Sequence, residues 1–289
     1  MGPHFVCRKS RNERGKMNTL FLLFLAGIFI VLFLSVARYI ERANIFFPMR
    51  GINRYPDMAD LPYEEVYLDT ADGRKLYGWF LPNEKADHTV LFLHGNAGNI
   101  SHRLEKASLL YGMGLNVFLF DYRGYGRSEG FPSESGIKLD ARAAYDHLTR
   151  VWRVPADRII LYGESMGGAV AADLAASKKV KALITEGAFT SIGDMAGIFY
   201  AFLPRFIIST KFDTVSKIKN VTCPKLLIQS VDDEIVFFDM GKRLFEAAAG
   251  PKEFLEIRGG HNTAFLDSKE EFTRGIEAFL TGLRGGRRT

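Results

Sequence analysis

The sequence predicts an α/β domain with a mostly parallel eight-stranded sheet, helices on both faces and a small cap, preceded by one transmembrane helix. Three observations lead to this prediction. An uncharged apolar run covers residues 19–37. Two alternating runs at 65–69 and 75–81 flank an Ala-Asp-Gly turn, which is typical of an antiparallel hairpin. After this hairpin, short apolar runs alternate with helical stretches, as in a parallel sheet.

The apolar run near the N-terminus is long enough to cross a bilayer, because a helix rises about 1.5 Å per residue. We predict an uncleaved anchor over residues 18–38. A cleaved signal peptide is the alternative, since Ser-Val-Ala at 35–37 resembles a cleavage site, and a buried helix of a soluble protein is a third. The run exceeds the usual signal-peptide core of about 7–15 residues, which favours the anchor.

The positive charge of the chain lies at its two ends. The total is +5, of which residues 1–16 contribute +4 and residues 284–289 contribute +3, so the rest of the chain carries about −2. This distribution argues against a nucleic-acid-binding face. A basic segment before the anchor, residues 1–17, predicts a cytoplasmic N-terminus, a single membrane pass and a catalytic domain on the non-cytoplasmic side.

The remaining chain divides into a juxtamembrane linker at 39–62, a domain at 63–283 and a basic tail at 284–289. Buried strands are expected at 88–93, 115–120, 158–162, 180–185, 225–229 and 254–257. Helices are expected at 100–111, 134–151, 166–177 and 239–249. The only two cysteines, Cys7 and Cys223, lie on opposite sides of the apolar run, so no intramolecular disulfide is expected.

A cap is expected at about 187–220, where strand and helix stop alternating. Its apolar side chains are Phe189, Ile192, Met195, Ile198, Phe199, Phe202, Leu203, Phe206 and Ile207. They offer a surface that receives an acyl chain or touches lipid, although core packing explains at least half of them equally well.

Gly-Glu-Ser-Met-Gly at 163–167 follows a predicted buried strand and opens a predicted helix. A Gly-x-Ser-x-Gly pattern alone is common by chance, but this position between strand and helix is the one that a nucleophile elbow requires. Small residues two before and two after the serine let strand and helix approach at the sharp turn. The motif therefore predicts Ser165 as a nucleophile.

A serine hydroxyl needs a general base, which is itself held by a carboxylate. In hydrolases with this elbow the chain order is Ser, then acid, then His. His261 follows the last predicted strand and takes the role of the base. Asp232, Asp233 and Glu234 follow the preceding strand, and spacing alone does not choose among them.

Four motifs in order resemble the membrane-anchored α/β-hydrolases related to protein depalmitoylases and serine aminopeptidases. They are the elbow, His-Gly-Asn-Ala-Gly-Asn at 94–99, Asp-Tyr-Arg-Gly-Tyr-Gly-Arg-Ser at 121–128, and the loop at 229–237. The resemblance extends from about residue 46 to residue 280. It implies the α/β-hydrolase fold, and it does not fix the substrate.

The resemblance also implies site residues. The family's loop commonly reads His-Gly-x-x-Asp-x-Val-Val-Pro, which places the catalytic acid on Asp233. This chain has Gln-Ser in place of His-Gly and Phe in place of Pro, so Asp232 stays open as an alternative, and Glu186 as a third. The family's His-Gly-x loop supplies one oxyanion-hole amide, here that of Asn96. Met166 donates the other.

The motifs favour a serine hydrolase that cleaves carboxylic ester or thioester bonds through an acyl-enzyme. The expected substrate is a small molecule or an acylated, lipid-like compound, with no cofactor and no metal. A serine aminopeptidase-like peptidase is the second hypothesis, and a noncatalytic membrane-tethered interaction protein is the third. No oligomeric state is predicted.

Overall fold

A computed structural model describes residues 10–199 and 208–284 and divides the chain into two units after Ile45. Several predictions lie outside the described residues. They concern Cys7, most of the basic N-terminus and of the basic tail, and the cap side chains Phe202, Leu203, Phe206 and Ile207.

The first unit contains helix α1 (Ser10–Ile45). Among the described residues it is the one helix long and apolar enough to cross a membrane, over Asn18–Ile45, and none of its most apolar window is buried. The helix continues past the predicted anchor end at residue 38, because residues 38–45 contain neither glycine nor proline to stop it.

The second unit begins at Phe46, so residues 46–62, which the sequence assigns to a linker, are counted with the domain. Its strands are β1 (Phe47–Pro48), β2 (Glu64–Asp69), β3 (Lys75–Leu81), β4 (Thr89–Leu93), β5 (Ala97–Gly98), β6 (Asn116–Phe120), β7 (Ile159–Glu164), β8 (Ala182–Glu186), β9 (Lys225–Ser230) and β10 (Lys252–Ile257). Its helices are α2 (Leu104–Gly112), α3 (Glu134–Asp146), α4 (Met166–Ala175), α5 (Ile192–Phe199), α6 (Thr214–Ile218), α7 (Phe238–Ala247), α8 (Ala264–Asp267) and α9 (Lys269–Arg284).

Eight strands form the main sheet, in the order β10-β9-β8-β7-β4-β6-β3-β2. Only β3 runs antiparallel to its neighbours, β2 and β6. The mostly parallel eight-stranded sheet and its opening hairpin are thereby confirmed. β1 and β5 pair with each other in a separate two-stranded sheet.

Helices cover both faces of the sheet, as predicted. Phe92 and Tyr162 point to the face that packs with α2 and α9, whereas Leu227 points to the opposite face with α6 and α7. The interiors of β4 and β8 are fully buried, which explains their continuous apolar sequences. Since β4, β7, β8, β9 and β10 run parallel, the loops that follow them meet at one edge of the sheet.

Candidate active site

Ser165 lies at the sharp turn between β7 and α4. Its φ of 52° and ψ of −116° are a strained conformation for a residue with a side chain. The turn needs glycine on both sides, because a Cβ at Gly163 would overlap the carbonyl oxygen of Gly167, and one at Gly167 would overlap that of Leu93. The Ser165 amide donates to the Glu186 carbonyl at 2.8 Å, which fixes the turn to β8.

The structure brings together three of the predicted site residues. His261 Nε2 lies 3.1 Å from Ser165 Oγ, and His261 Nδ1 lies 2.7 Å from Asp233 Oδ2. Asp233 follows β9 and His261 follows β10, so neighbouring parallel strands deliver both to the elbow. An imidazole between a hydroxyl and a carboxylate can accept the hydroxyl proton while the carboxylate stabilises the resulting charge.

Asp233 is held by its own loop. Its Oδ1 accepts from the amides of Ile235 at 2.9 Å and Val236 at 2.7 Å, and Gln229 Nε2 donates to its Oδ2 at 3.2 Å. The side chain is almost completely buried. Gln229 is one of the departures from the family pattern, and its side-chain amide helps to orient the Asp233 carboxylate.

The other candidate acids lie elsewhere. Asp232 is half exposed and pairs with Arg258 at 3.5 Å. Glu234 accepts from the backbone amide of His261 at 2.9 Å, so it holds the loop rather than the ring. Glu186 bonds to the hydroxyl of Tyr162 and to Lys106 Nζ. Among the candidate acids, Asp233 is therefore the one bonded to the His261 ring. Nδ1 of the ring faces Asp233, and Nε2 faces Ser165.

Two cations that no sequence motif marks lie behind the elbow: Lys106 is buried and Arg103 is largely buried. Arg103 Nε lies 3.1 Å from Glu164 Oε2, and Lys106 Nζ lies 2.7 Å from Glu186 Oε2 and 3.8 Å from Glu164 Oε1. Burial disfavours the Glu164 carboxylate, but the charges of Arg103 and Lys106 outweigh it and lower its pKa to about 2. The available signal was a lysine and an arginine on the apolar face of a predicted helix.

The electrostatic surroundings favour the protonated form of His261. Burial opposes protonation, but the hydrogen bond and charge of Asp233 outweigh it, and the Glu164 and Glu186 carboxylates add to the effect. The pKa of His261 is therefore raised from its ordinary value.

Gly187 is a third position near the site that no sequence motif marks. Its φ is +57°, and a Cβ there would lie 3.1 Å from His261 Cε1 and 3.6 Å from Asp233 Oδ2. The missing side chain thus makes room for the histidine and the carboxylate. A glycine two residues after the predicted strand at 180–185, at the same sheet edge, was the available signal.

The predicted oxyanion residues lie on two adjacent segments. Leu93 pairs with Gly163, and this register brings the loop after β4 against the start of α4, whose first residue is Met166. The first amides of a helix have no partner within the helix. Asn96 belongs to that loop, and its Oδ1 accepts from the Tyr125 hydroxyl at 3.1 Å.

His94 is fully buried at the start of this loop. Its Nδ1 lies 2.7 Å from the Gly95 carbonyl oxygen, and its ring packs 4.3 Å from that of Tyr122. Burial lowers its pKa to about 3, so it is neutral and packs as an apolar ring beneath the loop. Over residues 10–199 and 208–284, no group of three or more His, Cys, Asp and Glu side chains is placed to hold a metal ion.

Comparison with known proteins identifies the family of this chain. A family model described as serine aminopeptidase, S33, matches residues 84–212. The α/β-hydrolase domain-containing protein WAV2 of Arabidopsis thaliana is 37% identical over 248 residues, covering 78% of this chain and 80% of the plant protein. The chain belongs to the α/β-hydrolase family.

Two further similarities, one to a relative in sequence and one to a solved structure, concern most of this α/β-hydrolase chain. An uncharacterised membrane protein of Saccharomyces cerevisiae is 33% identical over 259 residues, covering 84% of this chain and 91% of the yeast protein. An esterase of Pyrococcus furiosus superposes with a TM-score of 0.70 at 23% identity, over 82% of this chain and 97% of that one. At that identity the superposition shows the fold.

Proposed function

We propose that this α/β-hydrolase is a serine hydrolase that cleaves carboxylic ester or thioester bonds through an acyl-enzyme. One observation carries the proposal: Ser165 on its strained turn, His261 and Asp233 form a continuous chain of contacts of 3.1 and 2.7 Å. This order of hydroxyl, imidazole and carboxylate is the arrangement that activates a serine for attack on an acyl carbon.

In the first half-reaction, Ser165 Oγ attacks the acyl carbon while His261 Nε2 takes the hydroxyl proton. Asp233 stabilises the imidazolium and keeps Nε2 directed at the serine. The backbone amides of Asn96 and Met166 bind the oxyanion of the tetrahedral intermediate. Each such donor is worth roughly 3–4 kcal/mol of barrier.

The intermediate collapses when His261 returns its proton to the leaving alcohol or thiol, which departs and leaves the acyl group on Ser165. In the second half-reaction, water enters and gives a proton to His261 as it attacks the same carbonyl carbon. Collapse then releases the carboxylic acid and restores the Ser165 hydroxyl.

An apolar surface near the site supports an acylated substrate. Ile198 and Phe199 at the end of α5 are 43% and 49% exposed, and Phe237 is 43% exposed. The rings of Phe199 and Phe237 stack with centroids 6.5 Å apart. Phe237 is four residues after Asp233 in the chain. Exposed aromatic side chains beside a catalytic loop are suited to receive a hydrocarbon chain.

We propose that α1 anchors the protein in a membrane with the N-terminus in the cytoplasm and the hydrolase unit on the other side. The apolar window of α1 and the basic residues before it support this orientation. A protease-protection assay on sealed vesicles tests it. Digestion of the hydrolase unit from the cytoplasmic side contradicts the proposed orientation.

A peptidase is the second candidate, because the matching family model is that of the S33 serine aminopeptidases. Such an enzyme needs an acidic group to bind a substrate amine. In the described part of the cap, Asp194 is already bonded to the Thr190 hydroxyl at 2.6 Å and to Arg243 at 3.1 Å. This favours the ester or thioester substrate.

Activity measurements on the full-length protein in detergent separate these functions. Nitrophenyl esters of increasing chain length, acyl-thioesters and aminoacyl anilides are compared for wild type, Ser165→Ala and the control Ser177→Ala, whose hydroxyl bonds only to its own helix. We expect ester or thioester hydrolysis that falls by about 10⁴–10⁶ in Ser165→Ala and is unchanged in Ser177→Ala. A preference for anilides overturns the esterase proposal, and an active Ser165→Ala overturns the serine mechanism.

A further inference from the structure

The chain between the apolar helix and the first hairpin is built into the loop that carries Asn96. β1 (Phe47–Pro48) pairs in parallel with β5 (Ala97–Gly98), which begins at the residue after Asn96. The Met49 amide continues the ladder by donating to the Gly98 carbonyl at 3.0 Å. This pair stands apart from the main sheet, so β5 has no other strand neighbour among the described residues.

Two asparagine side chains reinforce the ladder. Asn96 Oδ1 accepts from the Tyr125 hydroxyl at 3.1 Å and is approached by the Phe47 amide at 3.4 Å. Asn99 Nδ2 donates to the carbonyls of Met49 at 3.2 Å and Gly51 at 2.6 Å. Asn99 is fully buried, so these bonds are shielded from water.

The other side of the segment is bound to the loop after β6. The Gly126 amide donates to the Met49 carbonyl at 2.9 Å, and the Gly51 amide donates to the Gly126 carbonyl at 3.1 Å. Arg50 donates to the carbonyls of Ser128 at 2.8 Å and Gly130 at 2.9 Å. Residues 46–51 thus lie between two loops and bond to both of them.

Phe46 closes the near end of this segment. It is buried, and its ring meets that of Phe212, past the end of the cap helix, with centroids 6.2 Å apart. The segment therefore has an apolar contact at one end and hydrogen bonds along the rest of its length. Residues 46–51 are therefore attached to the neighbouring loops along most of their length.

We propose that residues 46–51, held in place by the Arg50 side chain, and the Tyr125 hydroxyl, which bonds to Asn96 Oδ1, together position the Asn96 amide for the oxyanion. This inference rests on the proposed function, in which that amide stabilises the tetrahedral intermediate. Oxyanion donors act through preorganisation, since they must already point at the developing charge. The loop that carries Asn96 leaves the main sheet after β4, and the segment that pairs with it helps to fix its position.

The role differs from that of a simple stabilising contact. A contact that only stabilises the fold lowers the amount of active protein and leaves kcat per folded molecule unchanged. A positioning contact lowers kcat and weakens binding of an oxyanion mimic by a similar factor while KM for the substrate stays nearly constant, because the oxyanion forms only in the transition state.

The test uses the full-length protein in detergent with Tyr125→Phe, which removes the hydroxyl bonded to Asn96, and Arg50→Met, which removes both donors from an exposed side chain. Tyr145→Phe is the control, since its hydroxyl also makes one hydrogen bond, to the Lys179 carbonyl at 2.7 Å. The measurements are kcat and KM for p-nitrophenyl butyrate, the inhibition constant of an aryl trifluoromethyl ketone, and the thermal midpoint.

We expect Tyr125→Phe to lower kcat about tenfold and to weaken the ketone by a similar factor, and Arg50→Met to do so about threefold, both with little change in KM. The proposal is overturned if both variants match Tyr145→Phe in kcat and ketone affinity, or if lost activity follows lost folded protein. Ser165→Ala separates a failure of the positioning role from a failure of the proposed function. If it is inactive while Tyr125→Phe resembles the control, only the positioning role fails; if it is as active as wild type, both proposals fail.

Discussion

On one side of Ser165, His261 and Asp233 are held by loops that leave two adjacent strands, with most of their hydrogen bonds inside residues 229–236 or between the two loops. On the other side, the Asn96 loop is held by residues 46–51 and by Tyr125, which are 29 to 50 positions away in the chain. The bonds that orient the Asp233 carboxylate within its own loop join residues two to four apart in the chain, so we call the first side local and the second long-range. Their tolerance to substitution is expected to differ accordingly.

The largest effect is expected at the carboxylate on the local side. Asp233→Ala removes the group that orients and stabilises His261, and we expect kcat/KM for a nitrophenyl ester to fall about 10⁴-fold. Asp232→Ala is the matched control, because its half-exposed side chain pairs with Arg258 instead. If Asp232→Ala shows the larger loss, the assignment of the acid is wrong.

The next effect concerns the space beneath His261. In Gly187→Ala the new Cβ lies 3.1 Å from His261 Cε1 at a residue with φ of +57°, so the histidine must shift. We expect kcat to fall about tenfold, since the shift is smaller than the misplacement of about 1 Å that costs about 100-fold. In Gly193→Ala the new Cβ makes an ordinary contact, 3.7 Å from Ser191 Oγ, at a residue without positive φ, and this variant is expected to keep full activity. Equal activity of the two variants contradicts a tightly held imidazole.

The pH dependence of hydrolysis tests whether the Glu164 carboxylate acts on the protonation of His261. Hydrolysis needs neutral His261, so kcat/KM rises with pH through the pKa of that residue, which is raised from its ordinary value. Removing the Glu164 carboxylate removes one group that favours the imidazolium. Glu164→Gln is therefore expected to move the acid limb to lower pH, whereas Glu270→Gln on the exposed face of α9 leaves it unchanged. A limb that moves to higher pH contradicts this coupling.

The smallest effect is expected at the apolar surface. Phe199→Ser and Phe237→Ser each remove one ring of the stacked pair and reduce the area that an acyl chain can cover. We expect a few-fold loss in kcat/KM for long-chain esters and almost none for acetate esters, since each buried methylene contributes about 0.8 kcal/mol. An equal loss of kcat/KM for short-chain and long-chain esters would instead indicate that these rings only stabilise the fold.

The sequence reveals the local side of the site better than the long-range side. The elbow, His261 and the Asp232–Asp233 pair are recognisable because each directly follows a strand whose apolar pattern is visible. The choice between the two aspartates depends on which side chain turns inward at the end of β9. Spacing does not specify that direction, whereas the resemblance and the structure both select Asp233 as the residue beside His261.

The long-range side has almost no signature. Residues 46–51 bind the Asn96 loop mainly through backbone amides and carbonyls, which every sequence has, so the segment looks like a linker.

Helix α9 is absent from the predicted helices although its sequence carries a helical pattern. Phe272, Ile276, Phe279 and Leu283 repeat at helical spacing and are buried, so the pattern was available in the sequence.

The central claim is that Ser165 carries the acyl group during turnover. Full-length protein is mixed with p-nitrophenyl butyrate, quenched in acid within the first turnovers, and digested for peptide mass mapping. We predict a butyryl adduct on the peptide that contains Ser165, and none in Ser165→Ala. Rapid hydrolysis with no adduct on that peptide, or an adduct on another residue that persists in Ser165→Ala, contradicts the account.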